Sequence, residues 1–194
     1  MLWTIPNILT VLRIALIPVF VGIFYLPKNS MTLGAFPAHW VNITATSVFA
    51  LAALTDWLDG FWARKFNQTS NFGAFLDPVA DKLMVAAALL VLVEFERIGA
   101  VIALIIIGRE IAVSALREWM ANLGKSSNVA VASIGKVKTA VQMIAILLLL
   151  YYDKIGMFNT KFIGQILIIF AAFLTLISMA YYLKAAWPAI KDAI

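Results

Sequence analysis

The chain has 194 residues, of which 63% are hydrophobic and only 13% charged, with a formal net charge of +5 and no cysteine. A soluble domain is about half apolar and a quarter charged, so a mean hydropathy of +0.96 leaves more apolar surface than one core can hold, and lipid must solvate the rest. Disulfides, thiolate metal centres and cysteine nucleophiles are excluded, one histidine cannot build a histidine metal cluster, and in a membrane protein the basic excess bears on orientation and not on nucleic acid.

A helix needs about 20 apolar residues to cross the hydrocarbon, and six segments qualify, at roughly 6–26, 41–62, 76–93, 98–120, 136–152 and 162–186. The expected fold is therefore all-α and integral to the membrane, one membrane-embedded domain over 1–194 with no repeat or linker. The first segment opens near Pro6, whose missing N–H costs nothing at a helix entry. It is too long for a signal-peptide core, and no convincing cleavage site follows it. Arg13 lies within it, about one turn from Thr10, and cannot face lipid cheaply; it either snorkels or pairs with an acid such as Glu110. His39, beside Trp40, reads as an interfacial residue ahead of the second segment. The second, third and fourth segments carry charge at one end only, as helices do when their polar ends share an aqueous cavity. With the N-terminus inside, the outward loops hold Lys28, Arg97, Lys154 and Lys161, and the other face holds the remaining eleven of fifteen basic residues. That bias places both termini in the cytoplasm.

Four aspartates fall within the 26 residues 56–81. Asp56 and Asp59, three apart, share one face at the end of the second segment; Asp77 and Asp81, four apart, share one face at the start of the third, with Pro78 in its first turn. A short polar connection lets the two helix ends return side by side. Four converging carboxylates repel and would take up protons unless compensated, and oxygen ligands without histidine or cysteine indicate a hard ion, Mg²⁺ or Mn²⁺. Two such ions about 4 Å apart would clamp a phosphoryl group. Gly60, Ala63 and Gly73 permit close backbone approach, Arg64 offers a planar fork to phosphate oxygens, and Thr69, Ser70 and Asn71 add polar contacts.

The pattern Asp56-x2-Asp59-Gly60-x2-Ala63-Arg64-x8-Gly73-x3-Asp77-x3-Asp81 resembles the signature of the CDP-alcohol phosphotransferase family at every position. The resemblance implies a six-helix fold, a homodimer, two divalent ions held by Asp56, Asp59, Asp77 and Asp81, a CDP-linked donor, and Asp81 as general base. It also suggests Asn7 and Thr10 as lining the nucleotide site. IPNILTVLRI at 5–14 and GREIAVSALREWMANLGKSSNVAVASIGKVKTAVQM at 108–143 are similar to the bacterial branch of this family that makes phosphatidylglycerophosphate. That similarity implies CDP-diacylglycerol as donor, sn-glycerol 3-phosphate as acceptor, CMP as leaving group and a site at the cytoplasmic side of the bacterial inner membrane.

A second anionic substrate needs its own basic pocket. Arg109 and Arg117, eight apart, lie on similar helix faces, and Glu110 and Glu118 repeat the spacing. Lys136 and Lys138 open the fifth segment. Arg117, Lys136 and Lys138, with Arg109 as a further candidate, could hold a phosphate of about two negative charges. Lys125 reads instead as a contact to anionic lipid heads. The last two segments read as generic apolar helix. Other readings are another acceptor within the family, a Mg²⁺-dependent prenyltransferase with a differently spaced aspartate cluster, and a cation transporter in which the glycine and arginine spacing would have no use.

Overall fold

The computed structural model describes residues 5–25, 37–66, 71–123 and 133–193, apart from the side chains at 5–7, 56–66, 71–72, 74, 133–136, 189 and 192–193. Among the described residues six helices follow one another: α1 (Ile5–Tyr25), α2 (Ala38–Phe66), α3 (Asn71–Glu94), α4 (Ala100–Asn122), α5 (Ser133–Tyr151) and α6 (Thr160–Ala193). The all-helical membrane architecture is as expected. The helices are longer than the apolar segments at most ends, because backbone hydrogen bonding continues into polar sequence where hydropathy has already fallen. Asp56 and Asp59 lie within α2, as expected, though the helix runs on to Phe66. One consequence corrects the sequence reading. Pro78 lies inside α3 and not in its first turn; it removes the donor for the carbonyl one turn back, a loss that membrane helices accommodate where neighbours and local adjustment re-satisfy the backbone.

By length and apolar composition alone, three helices among the described residues can cross a membrane, within Ile8–Tyr25, Ala38–Thr55 and Thr160–Pro188, and Val137–Tyr151 is a shorter apolar helix. At 1.5 Å per residue α3 and α4 are about 36 and 35 Å long, enough to span. They fall short on composition, because α3 carries Asp77, Asp81 and Lys82, and α4 carries Arg109, Glu110, Arg117 and Glu118.

Helix α5 packs on α6, α1 on α2 and α3, α4 on α6, and α2 on α5. Apolar side chains cover the outside as well as the core: Val101, Leu104, Phe162 and Phe173 are exposed while Phe20, Phe49, Leu89, Ile106 and Leu149 are buried. Since lipid tails are as apolar as leucine, burial drives little of the association, and close packing of small residues replaces it. Ala45, Ala52, Ala88, Ala103, Ala145 and Ala172 accordingly sit in the core. Gly164 brings α6 so close to α5 that a Cβ there would lie 2.8 Å from Leu149 Cγ.

One end of the bundle is tied by a polar knot. Arg97, in the α3–α4 turn, donates from Nη1 to the carbonyls of Leu149 (2.8 Å) and Leu150 (2.7 Å) and from Nη2 to Asn42 Oδ1 (2.6 Å). These carbonyls are the orphan acceptors at the C-terminus of α5, which the chain leaves through Tyr152 at φ 59°. The guanidinium stacks on the Tyr152 ring at 4.4 Å, and Gln165 Nε2 on α6 donates to the Arg97 carbonyl at 3.3 Å. Asn42 Nδ2 and His39 Nδ1 reach Asp153 Oδ2 at 3.2 and 2.9 Å. Burial alone would raise the Asp153 carboxyl, but these hydrogen bonds and the nearby His39 and Arg97 hold it below its ordinary range. His39 thus contacts Trp40 edge-on and also closes this network.

Lysine cannot reproduce the fork at Arg97. Arg97→Lys is expected to cost on the order of 3 kcal/mol, read as a lower unfolding temperature in detergent. Activity per folded molecule should stay near wild type, because Arg97 lies sixteen residues along from Asp81, about 24 Å by helical rise.

Candidate active site

At the other end, one face of α3 and one face of α4 enclose a cavity of about 370 Å³. From α3 come Asp77, Pro78, Asp81 and Lys82; from α4 come Arg109, Glu110, Val113, Ser114 and Arg117. Both sets repeat at three to four residues, the spacing of a single helix face. The two carboxylates on α3 and the two arginines on α4, paired separately by their spacing, therefore face one shared space.

The acidic wall is reached by α1. Thr10, fully buried, donates from Oγ1 to Asp77 Oδ1 at 2.5 Å. Asp81 also borders a small void of about 10 Å³ with Arg13, Met84 and Met143. Arg13 is buried on this side of the bundle, and Glu110, suggested as its partner, instead receives Arg109 and Lys138. Gly73 is buried near the start of α3. The side chains of Asn7, Asp56, Asp59, Ala63, Arg64 and Lys136, together with Gly60 and with Thr69, Ser70 and Lys125, lie outside the described residues. Helix α2 is continuous through 56–59. Among the described residues no group of three or more acidic or histidine side chains gathers; Asp77 and Asp81 are the described half of the expected set.

The basic wall is organised by α6. Arg109, 6% exposed, donates from Nη2 to Ser178 Oγ (3.0 Å) and from Nη1 to Glu110 Oε1 (3.2 Å). Ser178 in turn donates to the Thr175 carbonyl at 2.9 Å. Arg117 donates to the Tyr182 hydroxyl at 2.7 Å, and the Tyr182 ring lies under both guanidinium groups, 5.5 Å from Arg109 and 5.0 Å from Arg117. A phenol and an aromatic face fix a guanidinium without neutralising it, so Arg117 keeps its positive charge for a ligand. Lys138, 1% exposed, is not on the cavity wall; its ammonium is bonded to Glu110 Oε1.

Ser178 and Tyr182 were invisible in a segment read as generic apolar helix. Their signal is a polar stripe, Thr175, Ser178 and Tyr182, at i, i+3 and i+7 and buried throughout. Lys82 stands next to Asp81 and was likewise not singled out. A wall of oxygen donors facing a wall of fixed cations can hold a cation-bound diphosphate against a second phosphate-bearing molecule.

The family model for CDP-alcohol phosphatidyltransferase matches residues 3–177. A protein of Pseudomonas fluorescens is 50% identical over 190 residues, covering 96% of this chain and 92% of its own. Proteins of Escherichia coli strain K12 and Shigella flexneri are each 48% identical over 194 residues, 99% of this chain and 100% of theirs. All three bear the name CDP-diacylglycerol–glycerol-3-phosphate 3-phosphatidyltransferase. With the match spanning nearly the whole chain and the signature aspartates of α3 on the wall of the cavity, this chain belongs to the CDP-alcohol phosphatidyltransferase family.

Proposed function

We propose that the protein transfers the phosphatidyl group of CDP-diacylglycerol to the sn-1 hydroxyl of sn-glycerol 3-phosphate, giving phosphatidylglycerophosphate and CMP. The observation that carries this reading is a cavity shared by aspartates on one wall and arginines on the other, in a chain about half identical to proteins bearing that activity's name over 92% to 100% of their length.

The donor set suits a hard divalent ion: Asp77 and Asp81 offer only oxygen, and the Thr10 hydroxyl orients the first of them. On this reading Asp56, Asp59, Asp77 and Asp81 would hold two Mg²⁺ or Mn²⁺ ions. When bound, these would offset the charge of the donor diphosphate and of the departing CMP. The chain's own residues do the rest. Gly60, Ala63, Arg64, Thr69, Ser70 and Gly73, with Asn7 and Thr10, receive the CDP end of the lipid. Arg109 and Arg117, with Lys136, receive the acceptor phosphate and so aim its hydroxyl, positioning being most of what phosphoryl transfer requires. Lys138 contributes through Glu110 and not by lining the cavity. Asp81 takes the hydroxyl proton. The acceptor oxygen bonds to the phosphorus bearing the diacylglycerol while the bond from that phosphorus to the CMP oxygen breaks.

The depth of the cavity supports a reaction between one lipid and two water-soluble groups. Counting about 20 residues of α6 across the hydrocarbon from Thr160 brings Ser178 and Tyr182 to the opposite edge. We place that edge at the cytoplasmic side of a bacterial inner membrane, with both termini inside, because most basic residues fall there, and read the protein as a homodimer on family resemblance.

Purified protein with CDP-diacylglycerol and Mg²⁺ is expected to release CMP with sn-glycerol 3-phosphate and not with serine, inositol phosphate or free glycerol, and to stop in excess EDTA; release with a phosphate-free alcohol alone would overturn the acceptor. Asp81→Asn should abolish turnover while CDP-diacylglycerol binding persists, and a normal rate in that variant would remove Asp81 from the base role. Tyr182→Phe, which takes the hydroxyl from Arg117, should raise KM for glycerol phosphate by about five- to tenfold with KM for the lipid unchanged; equal change in both constants would assign Tyr182 to packing alone.

A further inference from the structure

A cavity built to receive anions contains a carboxylate on its basic wall. Glu110 lines the space between Arg109 and Arg117, where an uncompensated negative charge would repel the phosphate those arginines serve. The structure shows how that charge is offset. Oε1 receives both the Lys138 ammonium and Arg109 Nη1, and Lys138, 1% exposed, is spent entirely behind the wall. The pair is close to neutral, and it leaves Oε2 without a hydrogen bond among the described residues while the side chain is 27% exposed at the cavity. What faces the ligand is thus a carboxylate oxygen whose charge is offset from behind by Lys138 and Arg109. Such a group is matched by a neutral donor, and the chemistry that supplies one beside a phosphate is a hydroxyl.

We infer that Glu110 is the specificity-determining residue that accepts the hydrogen bond of the second, non-reacting hydroxyl of a polyol phosphate. This rests on the acceptor proposed above, whose sn-1 hydroxyl goes to Asp81 and whose phosphate goes to Arg117 and Arg109, leaving the sn-2 hydroxyl to be placed. Phosphate, reacting hydroxyl and middle hydroxyl then meet three separate groups of one cavity. A site built to hydrogen-bond a substrate hydroxyl rejects the analogue lacking it, because its own polar group is left unpaired.

The test compares sn-glycerol 3-phosphate with 3-hydroxypropyl phosphate, which has the phosphate and the reacting hydroxyl but no middle one. Wild-type protein should prefer glycerol phosphate by about ten- to a hundredfold in kcat/KM, the range of one hydrogen bond to a charged group. Removing Glu110 alone would strand Lys138, so the informative variant is Glu110→Leu with Lys138→Met, which exchanges the pair for apolar volume. Both substrates carry the phosphate, so any loss of phosphate binding cancels in the ratio. The preference should fall to within about threefold of unity. A ratio kept at its wild-type value while both rates drop would make the pair structural and overturn the inference, as would a wild type that does not distinguish the two. A wild type that uses neither acceptor would overturn the acceptor assignment itself, and this inference with it.

Discussion

Charge inside an apolar bundle is costly unless it is paired, and the Glu110 carboxylate is where this chain settles that cost. It receives Lys138 from α5 and Arg109 from its own helix, and Arg109 continues to Ser178 on α6. Three helices are joined through one oxygen atom and one guanidinium. Buried ion pairs contribute little net stability against a hydrophobic alternative, so the pair is better understood as setting geometry. It fixes α4 in rotation, and that rotation turns Arg117 toward the cavity and onto Tyr182.

The same rule explains the different treatment of the cations. Arg97 is spent on carbonyl oxygens and a carboxamide at the far end, Lys138 on a carboxylate, and Arg117 on a phenol. Only the last leaves a full charge directed into open space. Opposite it, Thr10 gives its hydrogen to Asp77, which holds a carboxylate in place without neutralising it. Asp77 and Arg117 are thus each oriented by a neutral hydroxyl, and their charges stay available to ligands of opposite sign.

Much of this was legible in the residues. The spacing of Asp77 and Asp81, and of Arg109 and Arg117, survives directly in the helix faces that line the cavity, because a fixed interval on a regular helix is a fixed direction. Less legible was anything depending on which helices touch. Lys138 looked like a pocket cation because its charge is visible in the sequence, but its partner Glu110, 28 residues earlier, is not. Ser178 and Tyr182 were lost in an apolar run whose mean composition concealed a polar stripe. Helix ends were misjudged for a related reason: hydropathy reports where lipid stops, whereas Asn71 to Phe75 stay helical beyond it, which is why Pro78 lies inside α3.

The knot around Arg97 has a mechanical corollary. It ties the α3–α4 turn to α2, α5 and α6 at one extremity, so those helices cannot separate there without stripping acceptors from a buried guanidinium. Any splaying of those helices is therefore confined to the opposite extremity, with the knot as pivot. With a lever arm of about 24 Å, a tilt of about 5° would displace the extremity that holds the cavity by about 2 Å while the fulcrum stays packed.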